Sequence, residues 1–109
     1  MNKPFELISI GKKTIEIRLN DEKRQKLTIG DEIEFTKLSN PDEKLHVKII
    51  DLLRYSSFKE LIDEYGMEFY GYPADEDVED FIQSIYTIYT PEDEKKYEVL
   101  GIRIELITK

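Results

Sequence analysis

The chain has 109 residues, no cysteine, one histidine and a formal net charge of −8, a length that fits one domain, residues 1–109, with a core needing no covalent staple. The lack of cysteine excludes a disulfide framework, a thiolate metal site and a cysteine nucleophile; no apolar run nears the ~20 residues of a membrane span, and residues 1–30 lack a signal peptide's apolar stretch, so a soluble cytoplasmic protein is expected. Charge is uneven: residues 1–30 carry seven Lys or Arg against four Asp or Glu, the remainder nine against twenty, which argues against a broad duplex DNA footprint and leaves a local basic patch around Lys23, Arg24 and Lys26 for a short anionic ligand or as a solvated turn.

Residues 4–10 read as a short helix with Pro4 in its first turn and Phe5, Leu7 and Ile8 turned inward. Gly11 suits its left-handed stop, which sets Lys12 and Lys13 near the negative end of the helix dipole. Residues 14–19 alternate as a strand, with Ile15, Ile17 and Leu19 on one face and Thr14, Glu16 and Arg18 on the other. That polar row, beside two lysines, is suited to holding a ligand; it is equally what a half-buried strand with a solvated ion pair shows. A charged segment, 20–26, follows as one helical turn capped by Asn20 or Asp21, with Leu27 and Ile29 tying it to the core and Gly30 turning the chain. Residues 32–37 alternate again, 39–43 read as a hairpin loop, and 45–54 as the returning strand. Its cluster of Val47, Ile49, Ile50, Leu52 and Leu53 breaks strict alternation and predicts a bulge or burial on both faces.

Ser57 to Glu60 form a capping-box pattern opening a helix with Phe58, Leu61, Ile62 and Tyr65 on one face and Gly66 at its end. The loop 67–74 carries Phe69, Tyr70 and Tyr72, aromatics that either stack a base or plug the core. Asp75, Glu76 and Asp77 open a second helix whose stripe of Val78, Phe81, Ile82, Ile85, Tyr86 and Tyr89 reads as core. Thr90 and Pro91 start another helix, and 98–108 alternate as a closing strand. About five strands with three or four short helices make an α+β domain. His46 stands alone, and no P-loop, dinucleotide fingerprint or metal-ligand spacing occurs, so neither metal nor cofactor is expected.

Gly11, Lys13, Glu16 and Arg18 fit the pattern G-x-K-x-x-E-x-R, which resembles the signature of the ASCH family of small PUA-like domains. The segments 21–24, Gly30-Asp31, 55–60 and 95–97 agree with it in order and spacing, so the likeness covers nearly the whole chain. It implies a closed or nearly closed small β-barrel flanked by helices, with a cleft beside the motif. The function it implies first is recognition of RNA or a single, modified nucleotide by Gly11, Lys12, Lys13, Thr14, Glu16, Arg18 and Arg24, with Tyr70 or Tyr72 stacking. The alternative is an amidohydrolase that deacylates N4-acetylcytidine, with Lys13 as base or nucleophile and Glu16 beside it. Glu16 stands where that enzyme carries threonine, and its distant glutamate has no aligned match; Thr14 with Glu68 or Glu76 are the replacements at hand. A third reading makes the acidic surface a protein-interaction face, as in the coactivator setting of other ASCH domains. Oligomeric state is not written in the sequence.

Overall fold

The computed structural model describes residues 3–108. Four strands, β1 (Ile15–Leu19), β2 (Glu32–Lys37), β3 (Asn40–Tyr55) and β4 (Val99–Thr108), pair antiparallel in the order β1-β4-β3-β2 and curl into a half-barrel. Four helices flank them, α1 (Lys3–Ser9), α2 (Phe58–Glu64), α3 (Val78–Ile85) and α4 (Pro91–Tyr97), giving the expected α+β class. Four strands stand where about five were expected, and β3 runs its 16 residues through two register shifts against β4 without breaking.

One of those shifts explains the apolar cluster in β3. Ile49 pairs with Ile104 and Asp51 with Arg103, so Ile50 is the extra residue of a bulge and its side chain is exposed. The bulge inverts the phase of the strand. Leu45, Val47 and Ile49 face the inside of the curl before it; Leu52 joins them after it, and Leu53 turns to the opposite face. Two cores result. Inside the curl, those residues pack with Leu100, Ile102 and Ile104, and with Ile8 of α1. Outside it, Ile15, Ile17, Leu19, Leu53 and Val99 pack under Phe58, Leu61 and Ile62 of α2 and Ile82 and Ile85 of α3.

β4, the strand between β1 and β3, is therefore buried on both faces over its first half, rather than on one as its alternation suggests. Gly101 is what lets α2 lie so close: a Cβ there would come 3.0 Å from Leu61 Cδ1. The expected hairpin loop is shorter than its composition implies. The turn is Leu38-Ser39, and residues 41–43 bulge between the Lys37–Asn40 and Thr36–Lys44 pairs, where a proline without an N–H is tolerated. Ile29 does not reach the core; it is exposed beside the Gly30 turn, and only Leu27 packs inward. The segment 20–26 holds a 3-10 turn, Arg24–Lys26, in which Asp21 Oδ1 accepts from the Arg24 amide at 3.1 Å.

The helix starts follow their capping residues. Ser57 Oγ accepts from Glu60 N, Asp77 Oδ1 from Glu79 N and Asp80 N, and Thr90 Oγ1 from Asp93 N. Glu94 of α4 was not singled out by any pattern, yet it joins two layers. It is buried, and its two oxygens accept from Phe58 N at 2.7 Å and from Tyr86 Oη at 2.6 Å. The first bond satisfies an orphan amide of α2.

Glu94→Ala leaves that amide and a phenol without their acceptor, and it should lower unfolding stability in urea by about 2 kcal/mol. The bond to Glu94 and burial push the Tyr86 phenol up to about 12. The unfolded phenol ionises near 10, so this group's contribution is whole below pH ~10 and lost as pH rises towards ~12. Tyr86→Phe should blunt that alkaline loss, measured by urea unfolding along a pH series.

Candidate functional site

Antiparallel pairing with β4 decides what β1 presents. Thr14 O accepts from Ile104 N and Asn20 N donates to Glu98 O, so the even-numbered backbone groups of β1 face β4 and those of Ile17 face the open edge. Side chains alternate independently of this: Ile15, Ile17 and Leu19 enter the outer core, and Glu16, opposite Ile102, enters the curl with Arg18. Glu16 is 6% exposed. A carboxylate withdrawn from water among apolar residues needs cations close by, and the flanking sequence supplies two. Lys13 Nζ lies 3.3 Å and Arg18 Nη1 3.5 Å from the same oxygen, Glu16 Oε1. Arg18 Nη1 also donates to the outward carbonyl of Ile17 at 2.8 Å, which fixes the guanidinium along the strand edge. The row is thus not a solvated surface pair.

These three side chains wall a cleft of about 270 Å³ between the edge of β1 and α3. Tyr72 and Phe81 form an aromatic wall with ring centroids 4.9 Å apart, and Ser84, Ile88 and Tyr89 complete the rim. Ile88 is 74% exposed at its mouth. The α3 stripe read as core from its spacing therefore divides: Ile82 is buried away from the cleft, whereas Phe81, Ile85 and Tyr89 also line it. Ser84 and Ile88 carried no signal in the sequence, because the positions they occupy become a cleft wall only once α3 lies against β1.

The aromatic loop is fastened at the start of the motif. Thr14 N donates to Phe69 O at 2.9 Å, and Lys13 and Tyr70 form an isolated antiparallel bridge. This splits the two tyrosines proposed to stack. Tyr70 is corrected to core: it is 1% exposed, its hydroxyl donates to Leu61 O at 3.0 Å, and burial pushes its phenol well above the ordinary range. Tyr72, two residues on and past Gly71 at φ +90°, returns to the cleft.

Other expected site residues are dispersed. Gly11, at φ +78°, ends α1 as foreseen, with Lys12 N and Lys13 N both donating to Leu7 O. It turns Lys12 into a separate depression shared with Glu68 and Tyr72, away from Glu16. Thr14 lines a third hollow, with Gly11, Lys13, Ile8, Ile50 and Arg103. Neither Thr14, Glu68 nor Glu76 lines the cleft that holds Glu16, although Lys13 borders both that cleft and the hollow of Thr14. Arg24 lies in a furrow on the curl side of β1 that also touches Glu16 and Arg18. Among the described residues no three His, Asp or Glu side chains gather as a metal site.

A family model described as the ASCH domain matches residues 1–108. Among solved structures, the crystal structure of hypothetical protein PH0355 is similar over 98% of this chain and 94% of that one, with 39% identity and a TM-score of 0.83. The solution NMR structure of protein PF0455 from Pyrococcus furiosus matches over 100% and 94%, with 35% identity and a TM-score of 0.77. No curated protein matches.

The split between the two tyrosines gives a direct check. Tyr70→Phe removes a buried bond and should lower stability by about 1 kcal/mol. Gly71→Ala, which would set a Cβ 2.8 Å from Leu7 Cδ1 at positive φ, should cost about 1 to 3 kcal/mol. Chemical unfolding measures both; equal stability of all three proteins would contradict the loop geometry.

Proposed function

The chain belongs to the ASCH domain family, and we propose that it recognises a nucleobase, carried by a single nucleotide or an unpaired RNA residue, in the cleft between β1 and α3. The observation that carries this reading is the buried Glu16 carboxylate, held by Lys13 and Arg18 at the wall of an aromatic cleft. A base has a flat apolar face and an edge on which donors and acceptors alternate. Glu16 accepts from an exocyclic amino group, and the Lys13 ammonium donates to a ring nitrogen or carbonyl oxygen beside it. Tyr72 supplies the stacking face, a contact worth about 1 to 3 kcal/mol per base in single-strand binders. Charge-assisted bonds to a carboxylate withdrawn from water are stronger than neutral ones, and they orient the base more than a stacking surface alone would. The net charge of −8 disfavours a long duplex, so the ligand is small or single-stranded.

Calorimetric titration with the four ribonucleosides, N4-acetylcytidine and a short single-stranded RNA tests this. One base class should bind saturably, and Lys13→Ala and Tyr72→Ala should each weaken it about tenfold, in line with the loss of one charge-assisted bond or one stacked ring. Binding untouched by either substitution, or no binding at all, would contradict the proposal. Chromatography of the N4-acetylcytidine samples separates recognition from turnover: intact ligand supports a binding module, and deacetylated product that disappears in Lys13→Ala would place the same cleft in an amidohydrolase.

A further inference from the structure

The base cleft has a neighbour on the other side of β1. A furrow of about 200 Å³ runs between β1 and β2, the two strands that end the sheet order and leave the curl open. Its floor is apolar, formed by Leu27, Ile33 and Phe35, and Arg18 and Arg24 stand over it. Glu16 and Arg18 line the furrow and the base cleft alike, so the two spaces are joined by one pair of side chains.

The two arginines are poorly matched by their carboxylates. Arg18 Nη1 meets Glu16 Oε1 at 3.5 Å, and Arg24 Nη1 meets Asp21 Oδ2 at 3.5 Å, both beyond the ~2.7 to 2.9 Å of a well-formed charge-assisted bond. Their side chains are 31% and 30% exposed, so each guanidinium is half withdrawn from water yet reachable. Arg24 is also positioned from its own backbone, since its amide donates to Asp21. Around the joined spaces Lys13, Arg18 and Arg24 stand against Glu16 and Asp21, leaving one positive charge on a protein of net −8. Two forked donors over an apolar floor suit a tetrahedral oxyanion: the fork matches phosphate oxygens, and the low-dielectric floor strengthens the attraction.

We infer that this furrow is a phosphate subsite, and that the protein's ligand is a nucleoside phosphate or a short single-stranded RNA whose base enters the cleft while its phosphate meets Arg24 and Arg18. The inference rests on the base-recognition reading and goes further, since a bare nucleoside would leave Arg24 unused. Lys23 and Lys26, the other cations of the basic segment, do not line the furrow and take no part.

The test compares the ribonucleoside that binds best with its 3′- and 5′-monophosphates by calorimetry, using the wild type and Arg24→Gln. One monophosphate should bind about tenfold more tightly than the nucleoside. That advantage should shrink with added salt by the slope of a single phosphate. Arg24→Gln should abolish most of it, with an unaltered near-ultraviolet circular dichroism spectrum as the check on folding. Equal binding of nucleoside and both monophosphates by the wild type would overturn the subsite and leave the base cleft standing. So would a monophosphate advantage that survives in Arg24→Gln. Failure of every nucleoside and nucleotide to bind would overturn both.

Discussion

Placing Glu16 inside the curl of an apolar sheet removes a carboxylate from water, at a cost of several kcal/mol unless opposite charge closes in. Much of the architecture around β1 meets that demand. The Gly11 turn sets Lys13 at one side of the carboxylate, and the two-residue period of the strand sets Arg18 at the other. The bridge between Lys13 and Tyr70 then fastens the aromatic loop to the same point and delivers Tyr72 beside it. A charge cluster, an aromatic wall and an open strand edge thus meet in one place because one acidic residue is buried there.

The second buried carboxylate, Glu94, shows what a structural acid looks like in this protein. Both its oxygens accept short bonds from neutral donors, Phe58 N and Tyr86 Oη, and it ties α4 to α2. Glu16 differs on each count: its partners are two cations, both lie at 3.3 Å or more, and it lines two adjoining hollows. Short bonds to neutral groups hold a fold together; longer contacts to two cations leave room for a ligand to take one of the partners. This contrast, more than the depth of burial, is what supports the proposed role of Glu16 in recognition.

Local pattern carried far into the fold. The alternation of Ile15, Ile17 and Leu19, the stop at Gly11, the caps at Ser57, Asp77 and Thr90, and the irregularity in β3 all have a short-range cause that the sequence displays. What it concealed depends on distant segments meeting. Tyr70 and Tyr72 are two residues apart with the same side chain, and only the bridge to Lys13 and the turn at Gly71 send one to the core and the other to the cleft. Thr14 shares the strand face of Glu16 by parity, yet it lies before β1 begins and lines another hollow. Ser84 and Ile88 become site residues only through the docking of α3, and Glu94 resembled any first-turn acid favoured by a helix dipole.

Two-dimensional amide NMR, with a ribonucleoside monophosphate added to the labelled protein, tests the central claim most directly. The account predicts saturating shifts that gather on Lys13, Ile17, Arg18, Tyr72 and Ser84, with Arg24 moving when the phosphate is present and not with the nucleoside alone. Shifts gathered instead around Ile50, Arg103 and Thr14, or no shifts at any concentration, would contradict it.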